Sequence, residues 1–249
     1  PLDDCSTAEN MLYLMRREGE FTDLEAKLLD LCLVVHADHG GGNNSAFATH
    51  VVSSTGTDIY SALATAIGSL KGPKHGGANH KVETMKEDII KNCSYNKKSE
   101  LESYLKKILD KRAFDGKGLV YGMGHAIYTI SDPRTAILKK MAGELAIEKG
   151  ATEEFELLDN IENITKRIFK EEKDKAICAN VDLYSGFVYK ILGIEKELYT
   201  PMFALARMAG WCAHRLEQIR DEKIIRPAYV SNHNKTVYTP MNERVSVTK

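Results

Sequence analysis

Apolar positions fall at three- and four-residue steps along most of this chain, the spacing that lays one stripe along a helix. In FTDLEAKLLDLCLVVHA the stripe is Leu24, Leu28, Leu31, Cys32 and Val35, with Thr22 placed to cap the helix start. DIYSALATAIGSLKGP repeats the pattern behind Asp58, with a face of Ala and Leu that permits close packing, and Gly72-Pro73 closes it. Helical spacing continues through NHKVETMKEDIIKN, SELESYLKKILDKR, DPRTAILKKMAGELAIEKG, the stretch around FELLDNIENITKRIFKEE, and TPMFALARMAGWCAHRLEQIRDE. Period-two alternation is scarce: KTVYT near the end is a candidate short strand, and NERVSVTK reads as a tail. The pattern predicts an all-α protein without internal repeats.

Composition narrows the function classes. With 43% hydrophobic and 28% charged residues over 249 positions, the chain can bury a core, as one large domain or two smaller ones. Thirty-four Lys and Arg against 35 Asp and Glu leave a net charge of −1, so no overall field draws it to nucleic acid or an anionic membrane. Lys97, Lys98 and the lysines between 170 and 175 read as solvated helix faces. No run approaches the ~18 apolar residues of a membrane span. Five scattered cysteines with no CxxC pair point to a reducing, cytoplasmic setting. A start at proline, with no initiator Met and no signal, is expected of a piece of a longer chain.

Four histidines stand beside glycine, where backbone can approach a ligand closely: His36 and His39 in HADHGGGNNS, His75 in GPKHGGAN, and His125 in YGMGHAIY. Each alone reads equally well as a structural group at a helix end. The HxxH step does not stack two imidazoles as an i, i+4 zinc motif does, and no Cys or Glu sits at ligand spacing nearby, so no metal is expected at His36 and His39. A phosphate cradle is disfavoured too, since neither GxGxxG after a strand nor a P-loop is present. Arg134, Arg207 and Arg226 are candidates to hold a carboxylate bidentately, although any one of them reads first as a surface or ion-pair residue. Asp182 lies in the otherwise apolar CANVDLYSG, where burial would raise its pKa toward general-base work.

Taken in order, HADHGGGNNSA, GPKHGGAN, GMGHAIY…DPR, NVD, AR…GW…H…EQ and IIRP resemble the citrate synthase family, from about the second helix to near the end. The resemblance implies a two-domain, all-α fold that here lacks an N-terminal part of the large domain. Residues 73–185 would form the small domain, and 1–72 and 186–249 would belong to the large one. It also implies condensation of acetyl-CoA with oxaloacetate through an enol, then thioester hydrolysis, with no metal and no redox cofactor. By motif, Asp182 matches the base, His75 the donor to the enol oxygen, Ser45 the hydroxyl that orients His75, and His125 the acid at the oxaloacetate carbonyl. His39, Asn43, Arg134 and Arg207 match the oxaloacetate contacts, and Arg226 the arginine supplied across a homodimer interface. The position of His75 just after Gly-Pro, at an expected helix start, would keep its ring neutral through the helix dipole. His36 is expected to be structural.

Many members of that family carry a basic residue between GHA and DPR for the CoA phosphates. This chain has Tyr128, Thr129, Ile130 and Ser131 there, so CoA is assigned to the backbone of Val120, Tyr121, Gly122, Met123 and Gly124 and to lysines elsewhere. A 2-methylcitrate synthase taking propionyl-CoA shares all these motifs and is the nearest alternative. A catalytically silent helical piece is the other.

Overall fold

A computed structural model describes residues 2–72, 75–125, 128–230 and 238–244. Ten α-helices run through them, and no sheet forms among the described residues. Helix starts are fixed locally. In α1 (Thr7–Met15) Ser6 and Glu9 cap each other's backbone N–H groups, and in α2 (Asp23–His36) Thr22 and Glu25 do the same, each satisfying donors that no helical carbonyl can reach. Glu25 has a second task. It is buried, grips Arg16 through both oxygens at 2.7 and 2.8 Å, and meets Lys149 at 2.8 Å. Burial alone would raise its pKa, but these two cations overcome it and hold the carboxyl down at about 2.

Three short helices escaped the periodicity reading, α1 among them. Helix α3 (Asn44–Ser53) follows the glycine stretch, and α9 (Asp182–Ile191) buries seven consecutive residues from Leu183 to Tyr189, so it shows no polar face to read. Helix α4 (Ile59–Leu70), capped by Asp58 as expected, packs on α3, with Ala46 and Ala66 in one apolar cluster. Helices α5 (Ala78–Asn92), α6 (Lys98–Leu109), α7 (Pro133–Glu148), α8 (Thr152–Lys173) and α10 (Tyr199–Asp221) match the remaining expected stretches. The candidate strand 235–239 lies outside the described residues except for Tyr238 and Thr239, which are irregular. No described helix is long and apolar enough to cross a membrane.

Three apolar clusters hold the helices. The largest joins α1, α2, α7, α9 and the start of α10, a second joins α5, α6 and α8, and a small third sets Ala46, Ala66 and Leu70 around Trp211. The largest draws on residues from both sides of 73 and of 185. Between α5, α8 and α9, the buried Lys86 meets both Glu83 and Glu154, and Lys190 closes the network on Glu154 at 2.7 Å. Close helix approach depends on glycine at two crossings. A Cβ at Gly186 would lie 3.3 Å from the Asn79 carbonyl, and one at Gly210 would overlap the Ala37 carbonyl oxygen.

Gly210→Ala decides between two opposed effects. An open helical position would gain up to about 1 kcal/mol from the change. Here the new methyl meets backbone that cannot rotate aside, and overpacking of about 1–3 kcal/mol outweighs the gain. Urea unfolding should show a net loss of roughly 1–2 kcal/mol; a variant as stable as the parent would mean that α10 can shift freely off α2.

Candidate active site

Helix ends build the cleft. Helix α2 stops at His36, residues 38–43 turn, and α3 begins at Asn44. Gly40 permits the turn with φ +79°, while the Asp38 carboxylate accepts the Gly40 N–H at 3.0 Å. His39 and Asn43 lie on this turn and Ser45 in the first turn of α3. His75 stands two residues before Gly77, the cap of α5; Arg134 is in the first turn of α7, and Asp182 is the first residue of α9. The N-terminal ends of four helices therefore supply cleft groups, an arrangement that favours bound negative charge. Phe203 and Arg207, one turn apart on α10, form the floor.

The cavity encloses about 120 Å³. It brings together His39, Asn43, His75, His125, Arg134, Asp182 and Arg207, with His36, Asn180, Val181 and Phe203 completing the wall. Ser45 lies behind it, fully buried. Its Oγ is 3.0 Å from His75 Nε2 and 2.9 Å from Asn43 Oδ1, and it accepts the Trp211 indole N–H at 3.2 Å. One hydroxyl proton faces two acceptors here. When it turns to His75 Nε2, the neutral ring must carry its own proton on Nδ1.

Protonation follows from burial and from the arginines. Burial first, then the Arg207 charge, lowers the pKa of His75. The helix-dipole argument made from sequence is thus secondary, since α5 starts only at Ala78. Burial, His39 and Arg134 lower His125 likewise. The Tyr128 N–H donates to His125 Nδ1 at 3.2 Å, while His125 Nε2 faces His39 Nε2 at 2.9 Å across stacked rings and lies 3.3 Å from Arg134 Nη2. Asp132 grips Arg134 at 2.8 Å and holds it toward His125. Arg207 is buried and bonds the His36 carbonyl at 2.5 Å and Asn43 Oδ1 at 3.4 Å, both neutral groups. Burial draws its pKa down to about 10, still cationic at neutral pH. Asp182 moves the other way: burial raises it to about 6 against the pull of Arg134 and Arg207.

His36, expected to be structural, bonds its own helix and is also part of the wall. Its Nδ1–H donates to the Cys32 carbonyl at 2.7 Å, and burial lowers its pKa to about 4. Its Nε2 has no hydrogen-bond partner among the described residues. Arg226 is exposed on the segment after α10 and does not line the cavity. Residues 120–124 do not line it either. Much of their backbone pairs with 178–180: Gly124 N–H donates to the Cys178 carbonyl, while the Gly122 and Gly124 carbonyls accept from Asn180. Asn180, Phe203, Tyr128 and Trp211 had no role from sequence. Asn180 sat inside the quoted NVD motif, and Phe203 is findable at i−4 from Arg207.

Fold and site define an all-helical protein whose cleft combines arginine cations, neutral imidazoles and a carboxylate of raised pKa. The chain belongs to the citrate synthase family: residues 1–228 match the family description "Citrate synthase, C-terminal domain". It is 40% identical over 247 residues to the citrate synthase of Synechocystis sp., covering 98% of this chain and 58% of that one. It is 32% identical to the 2-methylcitrate synthase of Shewanella oneidensis, covering 91% and 55%. The citrate synthase of Thermoplasma acidophilum, solved as a ternary complex with carboxymethyl coenzyme A and oxaloacetate, superposes with a TM-score of 0.74 at 30% identity, covering 98% of this chain and 61% of that one.

The raised pKa of Asp182 has a consequence for stability. Folding takes its pKa from an ordinary value near 4 to about 6. Its contribution to the fold is therefore fully present below pH 4 and is lost as pH rises through about 6. Two pKa units correspond to about 3 kcal/mol. Asp182→Asn should be more stable than the parent by roughly 2–3 kcal/mol at pH 7.5 and nearly equal to it at pH 3.5 in urea unfolding; equal stability at both pH values would mean that the carboxylate is solvated.

Proposed function

We propose that this chain carries the catalytic groups of an enzyme that condenses acetyl-CoA with oxaloacetate to give citrate and CoA. The observation that carries this reading is the meeting of Asp182, His75 and His125 with two arginines in one cavity. Oxaloacetate is a dianion, and Arg207, whose bonded partners are neutral, supplies charge that a buried carboxylate needs. Arg134, His39 and Asn43 contribute the remaining contacts. Asp182 takes a proton from the thioester methyl; its pKa near 6 suits a base working near neutral pH. His75, with its proton on Nδ1, donates to the oxygen that becomes enolic, and Ser45 holds that tautomer. The enol carbon attacks the oxaloacetate carbonyl, where His125 donates. Water then cleaves the citryl thioester and releases CoA. No metal or redox cofactor takes part.

Lys166, Lys170 and Lys175 border a groove beside Thr129 and Ile130. They are suited to meet the CoA phosphates in place of the basic residue absent from 128–131. The apolar faces left exposed by Tyr60, Ile67, Leu205 and Leu216 on α4 and α10 support a homodimer of the full-length protein, with Arg226 reaching the partner's cleft. Division into a small domain, 73–185, and a large one supplies the closure that excludes water. The five unpaired thiols suit a reducing cytoplasm.

The full-length protein should release CoA from acetyl-CoA in the presence of oxaloacetate, faster than from propionyl-CoA. A propionyl preference would make it a 2-methylcitrate synthase, and a folded protein releasing no CoA would make it a silent helical module. Asp182→Asn should lower kcat by about 10³-fold while oxaloacetate still binds; undiminished turnover would remove Asp182 from the role of base. Arg226→Ala should weaken oxaloacetate binding. In mixed dimers bearing Arg226→Ala on one chain and Asp182→Asn on the other, one of the two sites should regain function, because it draws intact groups from both chains. Mixed dimers with no regained activity would place the arginine in its own chain's cleft.

A further inference from the structure

A second histidine pair lies outside the cleft, behind the glycine turn. His50 on α3 and His214 on α10 face each other with Nε2 and Nδ1 3.1 Å apart. Their outer nitrogens are both committed. His50 Nδ1 meets Gln218 Oε1 at 2.9 Å, and the amide is oriented by its own Nε2 donating to the Lys223 carbonyl at 3.2 Å. His214 Nε2 meets the Asp38 carboxylate at 2.8 Å. Both outer partners only accept, so both outer nitrogens carry the hydrogen. In the neutral rings, the two facing nitrogens are then bare lone pairs. Two lone pairs at this separation repel unless a cation lies between them.

Glu217 adds a third ligand. One helical turn from His214, its carboxylate reaches 3.4 Å from His214 Nδ1, and one ligand atom from each of the three residues lies within 4.8 Å of the others. Metal–ligand bonds of about 2.0–2.1 Å in a tetrahedron place ligand atoms about 3.3 Å apart. The 3.1 and 3.4 Å separations match that edge. Imidazole ligands whose far N–H groups bond a carboxylate and an amide oxygen are also the usual support for zinc.

We propose that His50 Nε2, His214 Nδ1 and the Glu217 carboxylate bind a divalent ion of the zinc class, with water in the fourth position. The ion ties α3 to α10 and braces the turn that carries His39 and Asn43. A Cβ at Gly41 would lie 3.3 Å from His50 Nε2, and Asp38 joins the turn to His214 directly. This site does not depend on the reaction assigned to the cleft. His39 and His125 in the cleft are a competing pair, so the test locates the ion as well as detecting it.

Chelator-treated protein is titrated calorimetrically with zinc chloride, and its thermal unfolding is followed with and without the metal. One equivalent should bind, raise Tm, and protect His50 and His214 from diethylpyrocarbonate in mass-spectrometric mapping. Asp38→Asn, which takes the charge from an outer partner and leaves all three ligands in place, should weaken binding about 10- to 100-fold, and His50→Gln or His214→Gln should abolish that equivalent while His39→Gln leaves it. If a substituted protein unfolds, the protection pattern of the parent decides. No bound equivalent means that the pair shares a proton instead, and binding that persists in His50→Gln or protects only His39 and His125 places the ion in the cleft. Either result overturns the site.

Discussion

The cleft depends on one buried charge. Arg207 sits in the middle of α10 with its guanidinium against the His36 carbonyl and Asn43, and no carboxylate forms an ion pair with it among the described residues. A desolvated cation held by neutral dipoles leaves the fold in debt to an anion. It reaches this position because Gly210, one turn further on, lets α10 lie against the end of α2 at Ala37. The same helix presents Phe203 to the floor and the Trp211 N–H to Ser45, each a turn from Arg207. One helix face therefore aligns the anion contact, the cavity floor and the hydroxyl behind His75.

Around that charge, burial sets each titration in a useful direction. It raises the carboxylate of Asp182 and lowers the imidazoles of His75 and His125, and the arginines reinforce the second effect while opposing the first. The rings are left neutral, and the positive charge stays on the guanidinium groups and helix ends. A neutral donor can strengthen its bond as an oxygen becomes enolic without first giving up a proton. Acid and base roles separate because one environment pushes opposite kinds of group toward the same pH.

Sequence legibility followed physical locality. Helices with a visible cap and a two-sided pattern, such as those behind Thr22 and Asp58, could be read because their causes lie within one or two turns. Helix α9 could not, since Leu183 to Tyr189 is buried on every side and periodicity needs a polar face. The cleft residues were legible only as an ordered set of motifs. Nothing within HADHGGGNNS says that Arg207, 171 positions from His36, will bond its carbonyl. The metal reading shows the same limit. HxxH, already a poor ligand pair by spacing, holds two rings with different neighbours, whereas His50 and His214, 164 residues apart, carry no spacing signal at all.

The six-residue turn from 38 to 43 works on two faces at once. His39 and Asn43 face the cavity, while Asp38 and Gly41 lie against the His50–His214 pair. Gly40 holds a left-handed φ, and the Asn43 N–H returns to the Gly40 carbonyl at 3.0 Å, so the turn is a closed unit between two helix ends. A movement of one face therefore displaces the other. Two of the three glycines serve this coupling: Gly40 supplies the backbone angle, and Gly41 the room for an imidazole behind the turn. The geometry of the cleft is in this sense set partly by charges that never touch it.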